Sequence, residues 1–329
     1  MIATTRLGKS RLGATQLGLG CASLAGIFTP VPQAQARATI DAALAAGIRY
    51  FDTAPFYGHG LSERLTGDQL RGHDYVLSTK VGRLLRPGAA DPGAWVQALP
   101  FTPVFDYSYD GVMRSFEHSL QRLGLDRIDI LYMHDVGGLT HGADLGPRLF
   151  VEAMEGGYKA LHELRRGGRI RAIGLGVNET QVCLDALDHG DWDVFLLAGR
   201  YTLLDQSPLD RLFPACQRAG TDIVVGGPFN SGVLVGGKTF DYAAVPEAIA
   251  KRVGAISDVC DAHGVELPAA ALRFCVAHPV VKSVIPGPRS PAELAQILNW
   301  WNAEIPPGLW ADLKHRGLLR ADAPIPAEE

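Results

Sequence analysis

Tyr50-Phe51-Asp52-Thr53-Ala54-Pro55-Phe56-Tyr57-Gly58 is the stretch on which the reading of this chain turns. With Ile48 and Arg49 it begins as a short apolar run, the pattern of a buried strand, yet the run ends on a carboxylate where a branched apolar residue is expected. Upstream, residues 34–46 are Ala-rich and are followed by Gly47, which predicts a helix with a left-handed glycine stop. A helix, a tight glycine and a parallel strand make one unit of an α/β fold.

Working outward, the same alternation repeats along the chain. Strands are expected at 17–20, 48–52, 76–80, 128–133, 172–177, 194–198, 222–225 and 283–285. Amphipathic segments lie between them, and 291–299 closes the last unit. Residues 164–168 and 218–220 end helices on basic residues followed by glycine, which suits the helix dipole and a left-handed stop. Eight such units predict a (β/α) barrel. No linker rich in Ser, Pro or charge divides the chain, so one domain spanning 1–329 is expected. Residues 83–109 carry Pro87, Pro92, Pro100 and Pro103 with Trp95, Phe101 and Phe105, and are expected to form a long ordered loop, either a roof over the face where barrel active sites are built or a plain structural insertion.

Composition narrows the function. The 329 residues are 47% hydrophobic and 20% charged, with net charge -4 and no Lys/Arg run longer than a pair, which argues against nucleic acid or an anionic membrane as partner. A small molecule fits better. The first residues, Met1 to Arg6, lead into no signal-like apolar core, and no run approaches the roughly 18 apolar residues of a membrane span, so a cytoplasmic location is expected. Cys21, Cys183, Cys216, Cys260 and Cys275 are scattered and read as buried thiols, with no zinc spacing and no metal expected.

The chemistry gathers at strand ends. Asp52 ends the second strand, Tyr57 follows five residues on, Lys80 ends the third strand and His134 follows the fourth. Singly, each has a structural explanation: Asp52 with Lys80 as a buried pair, Tyr57 as a capping aromatic, His134 as a satisfied core histidine. Together they converge on one end of a barrel. A tyrosine working near neutrality needs its phenolate stabilised by roughly 4 kcal/mol. An ammonium about 4 Å away at an effective dielectric near 20 supplies roughly that much, so Lys80 is expected to tune Tyr57, Asp52 to hold Lys80, and His134 to orient the substrate oxygen.

The chain resembles the aldo-keto reductases over nearly its whole length. The resemblance is carried by Gly47-Ile48-Arg49-Tyr50-Phe51-Asp52-Thr53-Ala54, Tyr57-Gly58 with Leu61-Ser62-Glu63, Ser78-Thr79-Lys80, residues 120–129, Gly168-Arg169-Ile170-Arg171-Ala172-Ile173-Gly174 and Val284-Ile285-Pro286-Gly287-Pro288-Arg289-Ser290. It implies an α/β (β/α)8 TIM barrel with a short N-terminal β-hairpin and a long loop after the third strand, and a catalytic tetrad of Asp52, Tyr57, Lys80 and His134. No Gly-x-Gly-x-x-Gly opens a βαβ unit, so a Rossmann site is not expected. The resemblance instead places a nicotinamide near Asn178, the pyrophosphate along Gly227, Pro228, Phe229, Asn230, Ser231 and Gly232, and the adenosine near Ile285, Gly287, Arg289 and Gln296. Arg289 favours NADP through a 2′-phosphate, with NAD as the alternative. Three positions depart from the common pattern: Ala198 stands where a glutamine often meets the nicotinamide amide, Gly226 where an aromatic often stacks, and Ile297 where an asparagine often meets adenine.

Residues 197–206 and 176–179 resemble the branch of bacterial L-fucose and D-threo-aldose 1-dehydrogenases and the related pyridoxal 4-dehydrogenases. The expected reaction is oxidation of an aldose at C1 to the lactone, with Trp95, Asp135 and Arg200 as candidate substrate contacts. Alternatives are an NADPH-dependent aldehyde or ketone reductase, a pyridoxal 4-dehydrogenase, a non-catalytic cofactor-sensing subunit, and an aldolase using Lys80 as nucleophile. A monomer or small homo-oligomer is expected.

Overall fold

The computed structural model describes residues 2–88, 91 and 93–326; Pro92 lies outside the described residues. Eight parallel strands form one sheet: β1 (Leu19–Gly20), β2 (Tyr50–Asp52), β3 (Val76–Val81), β4 (Ile130–His134), β5 (Ala172–Val177), β6 (Val194–Ala198), β7 (Asp222–Gly226) and β8 (Val281–Ile285). Neighbours in the sheet follow chain order from β1 to β8. A parallel bridge between Leu17 and Val284 joins the two edges and closes the barrel. The Gly18 N–H donates to the Val284 carbonyl at 2.9 Å, and the Val284 N–H to the Gln16 carbonyl at 2.8 Å. Closure removes both sheet edges and fixes which strand ends share a rim.

Successive strands are joined through helices: α1 (Gln33–Ala45), α2 (Leu61–Leu70), α3 (Tyr109–Leu123), α4 (Tyr158–Arg166), α5 (Thr180–Leu187), α6 (Leu212–Ala219), α7 (Leu267–Cys275) and, after β8, α8 (Pro291–Trp301). The side chains of Leu19, Phe51, Leu77, Leu131, Ile173, Leu197 and Val225 are buried in the core between strands and helices. A separate cluster of Tyr50, Val76, Ile130, Tyr132, Val194, Leu196 and Val224 fills the barrel itself. The N-terminal hairpin, Thr4–Leu7 paired with Leu12–Thr15, adds Leu7, Leu12 and Ala14 to that cluster. One end of the barrel is therefore plugged, which leaves the opposite rim, where the strands end, for chemistry.

The long ordered excursion expected after β3 is present, and it is built on a β-ribbon. Arg83–Pro87 pairs antiparallel with Phe101–Phe105, with Pro103 opposite Leu85. A two-stranded ribbon is all edge, so a proline can face away from the ladder without removing a needed donor. Gly82 makes the turn into this ribbon: its φ is +97°, and a Cβ there would lie 2.2 Å from the Tyr107 ring, so only glycine fits. Helices at Gly138–Glu152, Glu247–Ala262 and Pro307–His315 lie outside the eightfold repeat.

Candidate active site

Alternation along β2, β3 and β4 sends Tyr50 and Asp52, Ser78 and Lys80, and Tyr132 and His134 to the barrel interior, and the polar members sit at the open rim. Lys80 Nζ donates to Asp52 Oδ2 at 2.7 Å and to the Thr53 carbonyl at 2.9 Å. Ser78 Oγ donates to the other carboxylate oxygen at 2.6 Å. Behind them the Tyr50 hydroxyl lies 3.2 Å from Ser78 Oγ and 3.0 Å from the Tyr132 hydroxyl. With Lys80 1% and Asp52 3% exposed, each charge is matched by the other and by fixed hydrogen bonds, as burial requires.

Tyr57 stands above this pair on a short 3-10 turn (Tyr57–Gly60) that opens α2. Lys80 Nζ is 4.6 Å from its ring centroid, and the His134 ring meets it edge-on at 5.8 Å. The four residues expected to form the tetrad are thus brought together. Their electrostatics differ from the expectation in one respect. Burial first, then Asp52, Tyr242 and Asp135, push the Tyr57 phenol well above its usual value, with Arg83 opposing. Lys80 is committed to Asp52, so the pair presents little net charge, and the tuning expected from a free ammonium is largely cancelled. Tyr57 is held as a neutral phenol. His134 is held well below its usual value by burial and by the Arg83 and Lys80 charges, so it is a neutral imidazole. Burial raises the Asp52 carboxyl, while Lys80 and Ser78 act against that rise.

Aromatic rings wall the centre. Trp95, brought over by the ribbon, lies 5.5 Å from the Tyr57 ring and edge-on to Phe56 at 5.7 Å. Arg83, which the sequence reading missed, pairs with Asp135 at 2.5 Å and lies 4.1 Å from the Phe56 ring. Its signal, a cation three residues after Lys80, says nothing of location until Gly82 turns the chain back over the rim. Tyr242, also missed, sits with φ +63° between the short strands Thr239–Phe240 and Ala243–Ala244, with its backbone N–H donating to Ser231 Oγ at 3.1 Å.

The residues expected around a dinucleotide form a continuous rim from β5 to α8. The Asn178 amide donates to the Ala198 carbonyl at 2.9 Å. Arg200 donates from Nε to the Asn178 carbonyl at 3.1 Å and pairs with Asp241 at 3.0 Å, so its charge ties the segment after β7 to the rim. Ala198 and Gly226 pair in register and Gly227 follows at φ +56°, leaving the strand ends without bulk. Phe229 packs edge-on against Trp300 at 5.9 Å, beside Pro228. Asn230, Ser231 and Gly232 are all at positive φ, and Asn230 Oδ1 is buried without a hydrogen-bond partner. Such an orphaned acceptor beside a glycine turn fits a bound polar group. Ile285 ends β8 buried, and Gly287 packs so closely that a Cβ would lie 2.8 Å from Ser23 Oγ. Arg289 is gripped by Glu293, with Nε at 3.1 Å and a terminal nitrogen at 2.9 Å from Oε1, and Gln296 is exposed on α8.

All five cysteines are buried and free. Among the described residues, no group of three or more His, Cys, Asp or Glu side chains could hold a metal ion, and no helix is long and apolar enough to cross a membrane.

A barrel with a carboxylate, lysine, tyrosine and histidine meeting on its open rim, next to a glycine-lined cradle, is the architecture of a nicotinamide-dependent oxidoreductase. Residues 16–315 match the Aldo/keto reductase family, and the chain belongs to that family. It is 45% identical to a pyridoxal 4-dehydrogenase of Microbacterium luteolum, covering 95% of this chain and 97% of the relative. It is 37% identical to a D-threo-aldose 1-dehydrogenase of Pseudomonas sp, covering 92% and 94%. The aldo-keto reductase AKR11C1 from Bacillus halodurans, in its holo form, superposes with a TM-score of 0.77 at 25% identity over 98% of both chains.

Proposed function

We propose that this chain oxidises a small cyclic hemiacetal to its lactone, with pyridoxal favoured over an aldose. Both named relatives act on compounds that share this chemistry: an aldose closes on its own hydroxyl, and pyridoxal closes its aldehyde on the neighbouring hydroxymethyl group. In either ring the reacting carbon bears one hydroxyl and one hydrogen. The hydroxyl loses its proton to the site and the carbon gives up hydride, leaving a lactone carbonyl. A bound nicotinamide supplies the hydride acceptor. Tyr57 takes part in the proton transfer, His134 donates a hydrogen bond to the substrate oxygen, and Asp52 and Lys80 hold the floor beneath the phenol.

The observation that carries the choice of substrate is the aromatic wall of Phe56, Tyr57 and Trp95 beside the reacting hydroxyl. A flat heteroaromatic ring stacks against such a wall, whereas a sugar asks for polar partners around its rim. Asp135 and Arg200, the polar residues expected to meet a sugar, are already engaged by Arg83 and Asp241. Lys80 as an aldolase nucleophile is disfavoured for the same reason, since its N–H groups are held by two acceptors. Initial rates with pyridoxal, L-fucose and other aldoses, and aromatic aldehydes test the reading. Pyridoxal should give the highest kcat/KM, and preference for an aldose would select the C1 oxidation that the second relative's name supports.

The expected preference for NADP rested on Arg289 as a cation open to a 2′-phosphate. Its guanidinium faces the Glu293 carboxylate instead, and a carboxylate at that place repels phosphate while accepting ribose hydroxyls. NAD is therefore the proposed cofactor. Glu293→Gln should raise kcat/KM with NADP by roughly tenfold relative to NAD. A wild-type enzyme already faster with NADP would overturn this assignment.

A further inference from the structure

The groups facing the His134 ring come from four directions: Lys80 on β3, Arg83 on the ribbon, the Tyr57 and Phe56 rings on the segment after β2, and Asp135 beside it in the chain. Asp135 is the carboxylate beside the ring. Its φ of +48° is left-handed, a conformation Asp and Asn adopt more readily than other side-chain-bearing residues, and this folds the carboxylate back over its neighbour's ring. The backbone on both sides is pinned, because the Asp135 N–H donates to the Gly176 carbonyl at 3.0 Å and the Tyr107 hydroxyl donates to the His134 carbonyl at 2.7 Å. Asp135 Oδ2 lies 3.4 Å from His134 Nε2 and 2.5 Å from the Arg83 guanidinium. The other ring nitrogen, Nδ1, is buried with no hydrogen-bond partner.

These facts decide between the two neutral forms of the ring. A proton on Nδ1 would leave a buried N–H without an acceptor and would aim the Nε2 lone pair at a carboxylate. A proton on Nε2 lies 3.4 Å from that carboxylate, whose charge favours it there without accepting it in a hydrogen bond, and leaves only a bare lone pair at Nδ1. The doubly protonated ring is opposed by burial and by the Arg83 and Lys80 charges. We infer that Asp135, anchored by Arg83, is a positioning residue that fixes His134 as the tautomer carrying its proton on Nε2, ready to donate to the substrate oxygen. Burial raises the Asp135 carboxyl, and Arg83 completes the device by opposing that rise and holding the carboxylate in place.

The catalytic benefit rests on the proposed reaction, but the tautomer does not. The test is ¹⁵N NMR of the histidine-labelled, substrate-free protein, with the His134 signals assigned among ten histidines by their loss in His134→Asn. The wild-type spectrum should show a protonated Nε2 and a bare Nδ1 at His134. Asp135→Asn keeps the left-handed preference and the size of the side chain, removes the charge, and should give a mixture of tautomers with kcat/KM lowered roughly tenfold to a hundredfold. Arg83→Lys, which keeps a cation for Asp135, should retain the single tautomer. A protonated Nδ1 in the wild type, or an unchanged His134 spectrum in Asp135→Asn, overturns the inference. If the Asp135 variant fails to fold, the wild-type spectrum still decides. Failure of the substrate reading would appear as inactivity toward hemiacetals with the nitrogen spectrum as expected.

Discussion

Tyr57→Phe should lower kcat for lactone formation by roughly 10³-fold while leaving the affinity for the dinucleotide nearly unchanged. The substitution removes one hydroxyl and keeps the ring that packs against Trp95 and His134, so the wall of the site survives. What is lost is the proton acceptor. In the wild type the phenol is pushed well above its usual value by burial, Asp52, Tyr242 and Asp135. Oxidation needs Tyr57 able to take a proton, so the wild-type rate should climb as pH rises from neutral into the alkaline range. Reduction of a carbonyl needs the neutral phenol and should be flat at neutral pH and fall at high pH. The residual oxidation rate of Tyr57→Phe should lack the alkaline rise. Steady-state rates across pH, with cofactor binding followed by fluorescence quenching, separate these outcomes.

Lys80→Met should cost roughly 3–5 kcal/mol of stability and also abolish most turnover, because it leaves the Asp52 carboxylate buried without its counter-charge. Ser78 alone remains to donate to that carboxylate. Burial already raises the Asp52 carboxyl, and without Lys80 it should rise further. The folded state then binds a proton more tightly than the unfolded chain, whose carboxyl titrates near 3.9, so the variant should be most stable in acid and lose stability as pH rises through its raised native value. Adding Asp52→Asn to Lys80→Met should recover much of the stability and none of the activity. Denaturant unfolding of the single and double variants, measured beside their rates, distinguishes a role in chemistry from one in folding alone.

The convergence of the proposed tetrad on one rim was legible because its residue types are out of place. Asp52, Lys80 and His134 stand at strand ends where branched apolar residues are the norm, and the strand period alone assigns them to one rim. The barrel was legible for the same reason, since eight short apolar runs separated by amphipathic segments leave few other arrangements. Less was legible where the outcome depends on which side chains meet. The upward shift at Tyr57 follows first from its burial and then from the charges of Asp52 and Asp135 and the Tyr242 phenol around it, and spacing cannot show which groups bury it. The ribbon carrying Arg83 and Trp95 was hidden because prolines read locally as breaks, while its pairing of Arg83 with Phe105 spans more than twenty intervening residues. The grip of Glu293 on Arg289 spans four residues, but Arg289 precedes α8, so helical spacing does not announce the pair, and its meaning for the cofactor emerges only with both residues on the rim.

The account as a whole depends on a hemiacetal carbon yielding hydride at the rim of this barrel, and the direct measurement is the product of pyridoxal oxidation. Purified enzyme with pyridoxal and NAD should form the lactone, identified by mass and NMR, in one-to-one ratio with reduced nicotinamide. Reduced nicotinamide without lactone, or no reduction with pyridoxal or with any aldose, would contradict it.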